Sequence, residues 1–154
     1  MTERELNIAL REMARVEGLC DQWYGEWSDD DSIDDCLDRY IRGHDFTISK
    51  DWPSLDFIRK NFDIQDLHRH NIYLDEKVDI ADADNGYYVF LGNCDAIVWV
   101  NGFKATTIFC RHDSHVNVFA ADGARVFVRY YDHSDGKCDS DKFSKAIKFD
   151  RQKK

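Results

Sequence analysis

The stretch that decides the fold is residues 91–130, which divides into four tens: LGNCDAIVWV, NGFKATTIFC, RHDSHVNVFA and ADGARVFVRY. The eighth residue of every ten is a branched aliphatic: Val98, Ile108, Val118 and Val128. Glycine, asparagine, histidine or aspartate stands near the second or third position of each ten, where a turn would fall. Each ten therefore predicts one short strand and one turn.

Two architectures fit a series of equal short strands: an antiparallel meander or sandwich, and the rungs of a solenoid. A meander reverses every second strand, so a column need not keep one residue type. A parallel stack does require it, because residues of one column lie over each other, about 4.8 Å apart. Since ten residues are too few to close a coil, we predict flattened coils of about twenty residues, with residue i over residue i+20.

The N-terminal part of the chain has the spacing of short helices instead. Thr2 and Ser32 are N-cap residues that predict the first two helices, and Gly18 and Gly43 follow as stop signals. Pro53 predicts the start of a third helix, with a short fourth turn beyond it. We therefore expect three or four short helices before the β repeats.

These signals divide the chain into a helical region at 1–71, a β repeat region at 72–149 and a basic tail at 150–154. The segment 143–149 predicts a last strand or helix that closes the end of the stack. The predicted fold is α+β, with the helices packed on a compact β-solenoid-like region. A chain of 154 residues suits one cooperative unit.

Composition narrows the classes of partner and compartment. The net charge of -9 argues against direct nucleic-acid or membrane binding, because both require a basic surface. The charged start of the chain predicts no signal peptide, and no apolar run is long enough to span a bilayer. Five cysteines, an odd number without a CxxC pair, indicate reduced thiols. We therefore expect a soluble cytoplasmic protein.

Three segments carry a resemblance: GEWSDDDSIDDCLDRYIRGHDF, KDWPSLDFIRKNF and DSHVNVFAADGARVFV. A helical N-terminal region of this kind followed by short β repeats resembles a group of uncharacterised proteins in genomes and mobile elements of gut Bacteroidales. The resemblance implies phage or mobile-element accessory biology, and it carries no catalytic motif.

Histidines and aspartates gather at one predicted turn. Under the twenty-residue register His112 lies beneath Asp132, with His115 and His133 close by. Imidazole and carboxylate groups from adjacent coils are ligands that a transition metal accepts. Surface turns collect the same residues without any ligand, however, and this simpler interpretation predicts no metal and no cofactor.

The sequence contains none of the local signatures of nucleophilic, nucleotide-binding or zinc-protease sites. Cys94 and Cys110 lie in or beside predicted strands, where cysteine is usually a small buried hydrophobe. We therefore predict a protein that is not an enzyme.

Large apolar residues occupy the ninth column of the tens, with Trp99 and Phe119 the main candidates for a binding surface. Columns six, eight and ten are predicted to face inward, so column nine faces outward. Exposed aromatic rings bind sugars or single-stranded bases. The alternative is that the N-terminal helices cover this face, because their apolar stripes also need a partner.

The run from Glu26 to Asp38 has seven acidic residues and no lysine or arginine. Asp29, Asp30 and Asp31 precede the second helix, so its dipole does not account for them. They predict a binding patch for a protein partner with a basic surface, or for the basic tail of a second copy. The predicted function is a non-catalytic macromolecular interaction protein, an accessory or inhibitor acting through an acidic surface. A small carbohydrate-binding protein or enzyme on the solenoid face is the alternative.

Overall fold

A computed structural model describes residues 1–151, and Lys153 and Lys154 of the predicted basic tail lie outside the described residues. The helices are α1 (Glu3–Val16), α2 (Asp21–Glu26), α3 (Ile33–Arg42), α4 (Thr47–Lys50), α5 (Leu55–Asn61) and α6 (Ile64–Arg69). The strands are β1 (Ile72–Leu74), β2 (Lys77–Ile80), β3 (Gly86–Leu91), β4 (Asp95–Asn101), β5 (Ala105–Cys110), β6 (His115–Ala121), β7 (Arg125–Tyr131), β8 (Cys138–Ser140) and β9 (Lys145–Arg151).

The strands form a parallel β-solenoid of about four turns, which confirms the predicted fold class and excludes the meander. Odd-numbered strands make a five-stranded sheet in the order β1-β3-β5-β7-β9, and even-numbered strands make a four-stranded sheet in the order β2-β4-β6-β8. From β3 onward residue i lies beside residue i+20, as in the pairs of Val98 with Val118 and Ile108 with Val128. The first coil is shorter, because Ile72 is paired with Val89 and Lys77 with Asp95.

The core of the solenoid comes from the alternate columns of the tens. The eighth-column residues are all buried, as are those of column six (Ala96, Thr106, Val116, Val126) and column ten (Val100, Cys110, Ala120, Tyr130). Thr106 is the polar exception, and its hydroxyl donates to the Asp84 carbonyl at 2.7 Å. The spacing of two residues therefore places one face of every strand inside the coil.

The last coil differs from the prediction. The predicted last element is a strand, β9, and it runs to Arg151, so positions 150 and 151 belong to this strand rather than to a tail. β8 is a short polar strand that the sequence pattern did not indicate. Lys148 stands at an inward position of β9, beside Val128, and its ammonium donates to the Gly136 carbonyl at 3.2 Å. A charged group at this position discourages a further strand from extending the stack.

The helical region has six helices rather than three or four, because short polar segments form α2 and α4. The two strongest helix signals are correct. Thr2 caps α1 by accepting from the Glu5 N–H at 3.1 Å, and Ser32 caps α3 in a reciprocal capping box with Asp35. Apolar side chains of this region form their own core: Leu6, Leu10, Ala14, Trp27 and Cys36.

The chain divides into two compact units, Met1–Asp66 and the residues from Leu67 onward. The first contains α1 to α5 and the second contains the solenoid. Among residues 1–151 no helix has both the length and the apolar character needed to cross a bilayer.

Candidate interaction surfaces

The turn with the histidines and aspartates is a hydrogen-bonded ladder. Gly92, His112 and Asp132 all have a left-handed backbone, with φ of 73°, 61° and 58°. Glycine adopts this conformation freely, and aspartate and histidine tolerate it better than most residues. His112 Nδ1 accepts from the Gly92 N–H at 2.9 Å, and Asp132 Oδ2 accepts from the His112 N–H at 3.0 Å. The backbone conformation and hydrogen bonds of this turn therefore explain why glycine, histidine and aspartate occur there.

The predicted approach of His112 to Asp132 is present, and His112 Nδ1 and Asp132 Oδ2 each accept a backbone hydrogen bond. Asp132 Oδ2 also lies 3.2 Å from the Arg111 Nε. His115 pairs with Asp135 at 2.5 Å instead of joining His112.

Three of the five cysteines, Cys36, Cys94 and Cys110, are buried, and Cys138 is partly buried. Burial raises the pKa of Cys36 to about 12 and raises the pKa values of Cys94, Cys110 and Cys138 as well. Cys20 is exposed. A high thiol pKa leaves little thiolate at neutral pH, and the thiolate is the nucleophilic form.

Alkylation of the native protein should therefore stop at one site. We expect iodoacetamide at pH 8 to modify Cys20 and to leave the other four thiols largely unmodified, because burial raises their pKa values and three of them are also inaccessible. Peptide mass spectrometry reads the sites directly, and the same reaction in denaturant should label all five. Rapid alkylation of Cys138 or Cys94 in the native protein would instead indicate an activated thiol.

The acidic loop that includes Asp29, Asp30 and Asp31 is paired with arginines of the same unit. Asp30 pairs with Arg4, and Asp29 lies 2.5 Å from the Arg11 Nη1. Asp31 lies 2.8 Å from the Arg39 Nη2, and both side chains are mostly buried, at 16% and 13% exposure. The Arg39 guanidinium also lies over the Trp27 ring, 4.6 Å from its centroid. The loop thus has a structural role, and its use as a binding patch stays a prediction.

Substitutions in this loop should separate the two roles. Asp31→Asn should lower the free energy of unfolding by about 1–2 kcal/mol, because it removes a charged hydrogen bond to a mostly buried Arg39. Asp30→Asn is the matched control, since its carboxylate is 83% exposed and an exposed pair contributes little. Urea denaturation measures both variants. If neither variant changes the free energy of unfolding, the ion pairs of the loop do not stabilise the fold, and the loop is better interpreted as an acidic binding patch.

A second candidate surface is the outer face of the four-stranded sheet. Trp99 on β4 and Phe119 on β6 occupy paired positions, and their ring centroids lie 4.8 Å apart. Trp99 is 39% exposed although its ring is one of the largest apolar groups of the solenoid. Ile97 is exposed on the same face, one outward position before Trp99 on β4. We call these three residues the Trp99 surface.

Polar groups surround the Trp99 surface. Asp79 is paired with Ile97, Asp139 is paired with Phe119, and Asp95 precedes Ile97 on β4. The outward positions of this sheet carry three aspartates and one lysine, Lys77. The apolar centre therefore has a rim in which carboxylates outnumber cations.

The ninth column does not form one surface. Trp99 and Phe119 lie on the four-stranded sheet, whereas Val89 and Phe109 lie on the five-stranded sheet. Val89 and Phe109 are buried. The expectation that the whole column faces solvent therefore holds only for Trp99 and Phe119, which lie on even-numbered strands. The two-strand period of a flattened coil explains the alternation, because consecutive tens belong to different sheets.

Sequence reasoning missed the outer face of β7 and β9, where Arg125, Arg129, Lys145 and Arg151 lie at outward positions. The signal was present in the sequence as two alternating runs, RVFVRYY and KAIKFDR. The two runs can be recognised as one basic surface only when it is known that Arg125 and Lys145 are neighbours in space.

No protein family, no curated protein and no solved structure matches the chain.

Proposed function

We propose that the chain is a non-catalytic macromolecular interaction protein that binds a protein partner through the Trp99 surface. The observation that carries the proposal is the ring pair of Trp99, which is 39% exposed, and Phe119, which is partly exposed, on the two central strands of the four-stranded sheet. An exposed aromatic pair costs solvation free energy in the unbound state, and contact with a partner recovers it.

The composition of this face supports a protein partner. Protein interfaces have an apolar centre that contains aromatic anchors and a polar rim around it, and tryptophan is enriched among the residues with the largest effects. Ile97, Trp99 and Phe119 provide the centre, and Asp79, Asp95 and Asp139 lie on the rim. A partner that fits would present an apolar pocket for the Trp99 ring, bordered by lysine or arginine side chains.

A carbohydrate ligand is less well supported. Sugar binding needs polar groups beside the aromatic ring that can form hydrogen bonds with the sugar hydroxyls. The two side-chain amides near the Trp99 ring already form hydrogen bonds within the protein. Asn117 Oδ1 accepts from the Lys137 N–H at 2.9 Å, and Asn101 Nδ2 donates to the Ala81 carbonyl at 3.3 Å. These hydrogen bonds connect neighbouring coils, so the two amides stabilise the solenoid.

The absence of catalysis is also part of the proposal. It is supported by the raised thiol pKa values and by the engagement of His112 and Asp132 in the turn ladder. The role as a phage or mobile-element accessory or inhibitor stays a prediction that rests on the resemblance of the sequence.

Comparative affinity capture tests the proposal. Wild-type protein and the double variant Trp99→Ala/Phe119→Ala would be incubated with native host lysate, and captured proteins would be quantified by mass spectrometry. We expect a partner with a basic surface that is retained by wild type and reduced by about a hundredfold or more in the variant, since aromatic anchors typically contribute at least 2 kcal/mol each.

The matched control is Phe127→Ala, which removes a ring of equal 39% exposure from the other sheet. The control should retain the partner. Equal retention by all three proteins would exclude the Trp99 surface as the binding site, and equal melting temperatures would show that the comparison is not affected by unfolding.

A further inference from the structure

The outer face of the five-stranded sheet differs in charge from the rest of the protein. We define the basic face as Arg125, Phe127, Arg129, Lys145, Phe149 and Arg151, which occupy outward positions of β7 and β9. No aspartate or glutamate stands at an outward position of any strand of this sheet. A chain with a net charge of -9 thus has a sheet face whose outward strand positions carry basic residues and no carboxylate.

The cations of this face are not compensated within the protein. Among residues 1–151, none of Arg125, Arg129, Lys145 and Arg151 has a carboxylate within ion-pair distance, whereas Arg4, Arg11, Arg39 and Arg111 each have one. Positive groups left unpaired in an acidic protein indicate a site for an external anion.

The arrangement is also held in place. Arg125 Nη1 donates to the carbonyls of Gly123 and Phe143 at 3.2 and 3.1 Å, so its guanidinium is fixed to the adjoining turns. The Arg129 guanidinium lies between the rings of Phe109 and Phe149, at 5.8 and 5.7 Å from their centroids. Fixed side chains lose less conformational entropy when they bind a ligand.

Aromatic groups alternate with these cations. On β7, Phe127 lies between Arg125 and Arg129, and on β9, Phe149 lies between Lys145 and Arg151 with Ile147 also outward. Phe127 is 39% exposed and is roughly parallel to Phe149, at 6.2 Å between centroids. Outward residues of one parallel strand recur about every 6.6 Å, so cations and rings form two adjacent rows.

We propose that the basic face binds single-stranded nucleic acid. Phosphates would pair with the arginines and Lys145, and bases would stack on the exposed Phe127 ring, which is the combination found in single-strand binding surfaces. A negative net charge argues against nucleic-acid binding only if acidic and basic residues are spread evenly over the surface. Here most of the outward basic residues lie on the five-stranded sheet, and the outward aspartates lie on the four-stranded sheet. This inference concerns the opposite sheet from the Trp99 surface, so either proposal can fail without the other.

Fluorescence anisotropy with labelled oligothymidylate and oligouridylate tests the proposal on the full chain at low salt. We expect binding whose log affinity falls with log salt at a slope of about -3, as four phosphate contacts to a single strand predict. Arg125→Gln/Arg129→Gln should weaken binding by at least about tenfold and roughly halve the slope. Phe127→Ala should weaken binding about tenfold at an unchanged slope, because it removes stacking alone.

The matched control is Lys77→Gln/Lys137→Gln, which removes the same charge from exposed positions on the side of the four-stranded sheet. It should bind within about twofold of wild type, since the long-range effect of two distant charges is screened. Melting temperatures would confirm that all variants are folded. The two oligonucleotides separate a DNA ligand from an RNA ligand.

Several results would overturn the proposal. They are no binding at low salt, equal weakening in the control, and duplex DNA binding as tightly as single strands with no effect of Phe127→Ala. Sedimentation velocity without nucleic acid provides a further test. Self-association that Arg125→Gln/Arg129→Gln abolishes would assign the face to a second copy of the chain.

Discussion

Gly136→Ala is expected to destabilise the protein by at least about 4 kcal/mol, or to prevent folding, because the added methyl group has no space. An ideal Cβ on Gly136 would lie 1.7 Å from the Val116 carbonyl oxygen and 2.7 Å from the Tyr130 hydroxyl. The Tyr130 hydroxyl donates to that same carbonyl at 2.6 Å in the interior of the solenoid. The clash is with backbone, so no change of rotamer relieves it.

Gly102→Ala separates this clash from backbone strain. Gly102 also has a left-handed φ, of 89°, but its Cβ would meet no atom within 4 Å. Strain alone should cost this variant about 1–2 kcal/mol. Urea denaturation compares the two, and similar values would show that the coils around Gly136 are less tightly packed than the structure has them.

Asn7→Ala should have the next largest effect, on the order of 3–4 kcal/mol, because it leaves several buried polar groups unpaired. Asn7 is fully buried. Its amide nitrogen donates to the carbonyls of Ser28 and Asp29 at 2.8 and 3.1 Å. Its oxygen accepts from the Trp27 indole at 2.5 Å and from the Cys36 thiol at 3.1 Å. One side chain thus connects α1 with the acidic loop and with α3.

Asn61→Ala provides the control for Asn7→Ala. Asn61 makes one side-chain bond, to the Phe57 carbonyl at 2.9 Å, and is only partly buried. We expect a loss of about 1 kcal/mol or less, measured by urea denaturation with tryptophan fluorescence. A loss of that size for Asn7→Ala as well would refute the structural role of its amide. If the chain unfolds as one cooperative unit, as its length predicts, Asn7→Ala and Gly136→Ala lower the same single transition.

The solenoid could be predicted because the stacking of its coils requires the same residue type at a regular spacing along the sequence. The column of Val98, Ile108, Val118 and Val128 records parallel stacking directly, since only aligned coils need the same residue type at the same position. α3 was predictable for a similar reason, because Ser32 and Gly43 are local signals of helix ends. Local and periodic causes leave a signature in one sequence.

The functional surfaces were harder to predict because their causes are contacts between distant residues. Asp30 and Arg4 are 26 positions apart, so the sequence shows a run of acids and not the ion pairs. Lys145 lies beside Arg125 only through the pairing of β9 with β7. The turn ladder was hidden from the sequence for a comparable reason, because the backbone N–H groups that donate to His112 and Asp132 belong to the turns of adjacent coils.

Hydrogen–deuterium exchange of the full chain, with and without the captured partner, tests the central claim most directly, because it locates the bound surface without substitutions. The proposed function predicts slower exchange at the margins of β4 and β6, Asp95–Asn101 and His115–Ala121, with the acidic loop unchanged. Protection confined to residues 26–38, with none on β4 or β6, would contradict it and assign binding to the acidic loop.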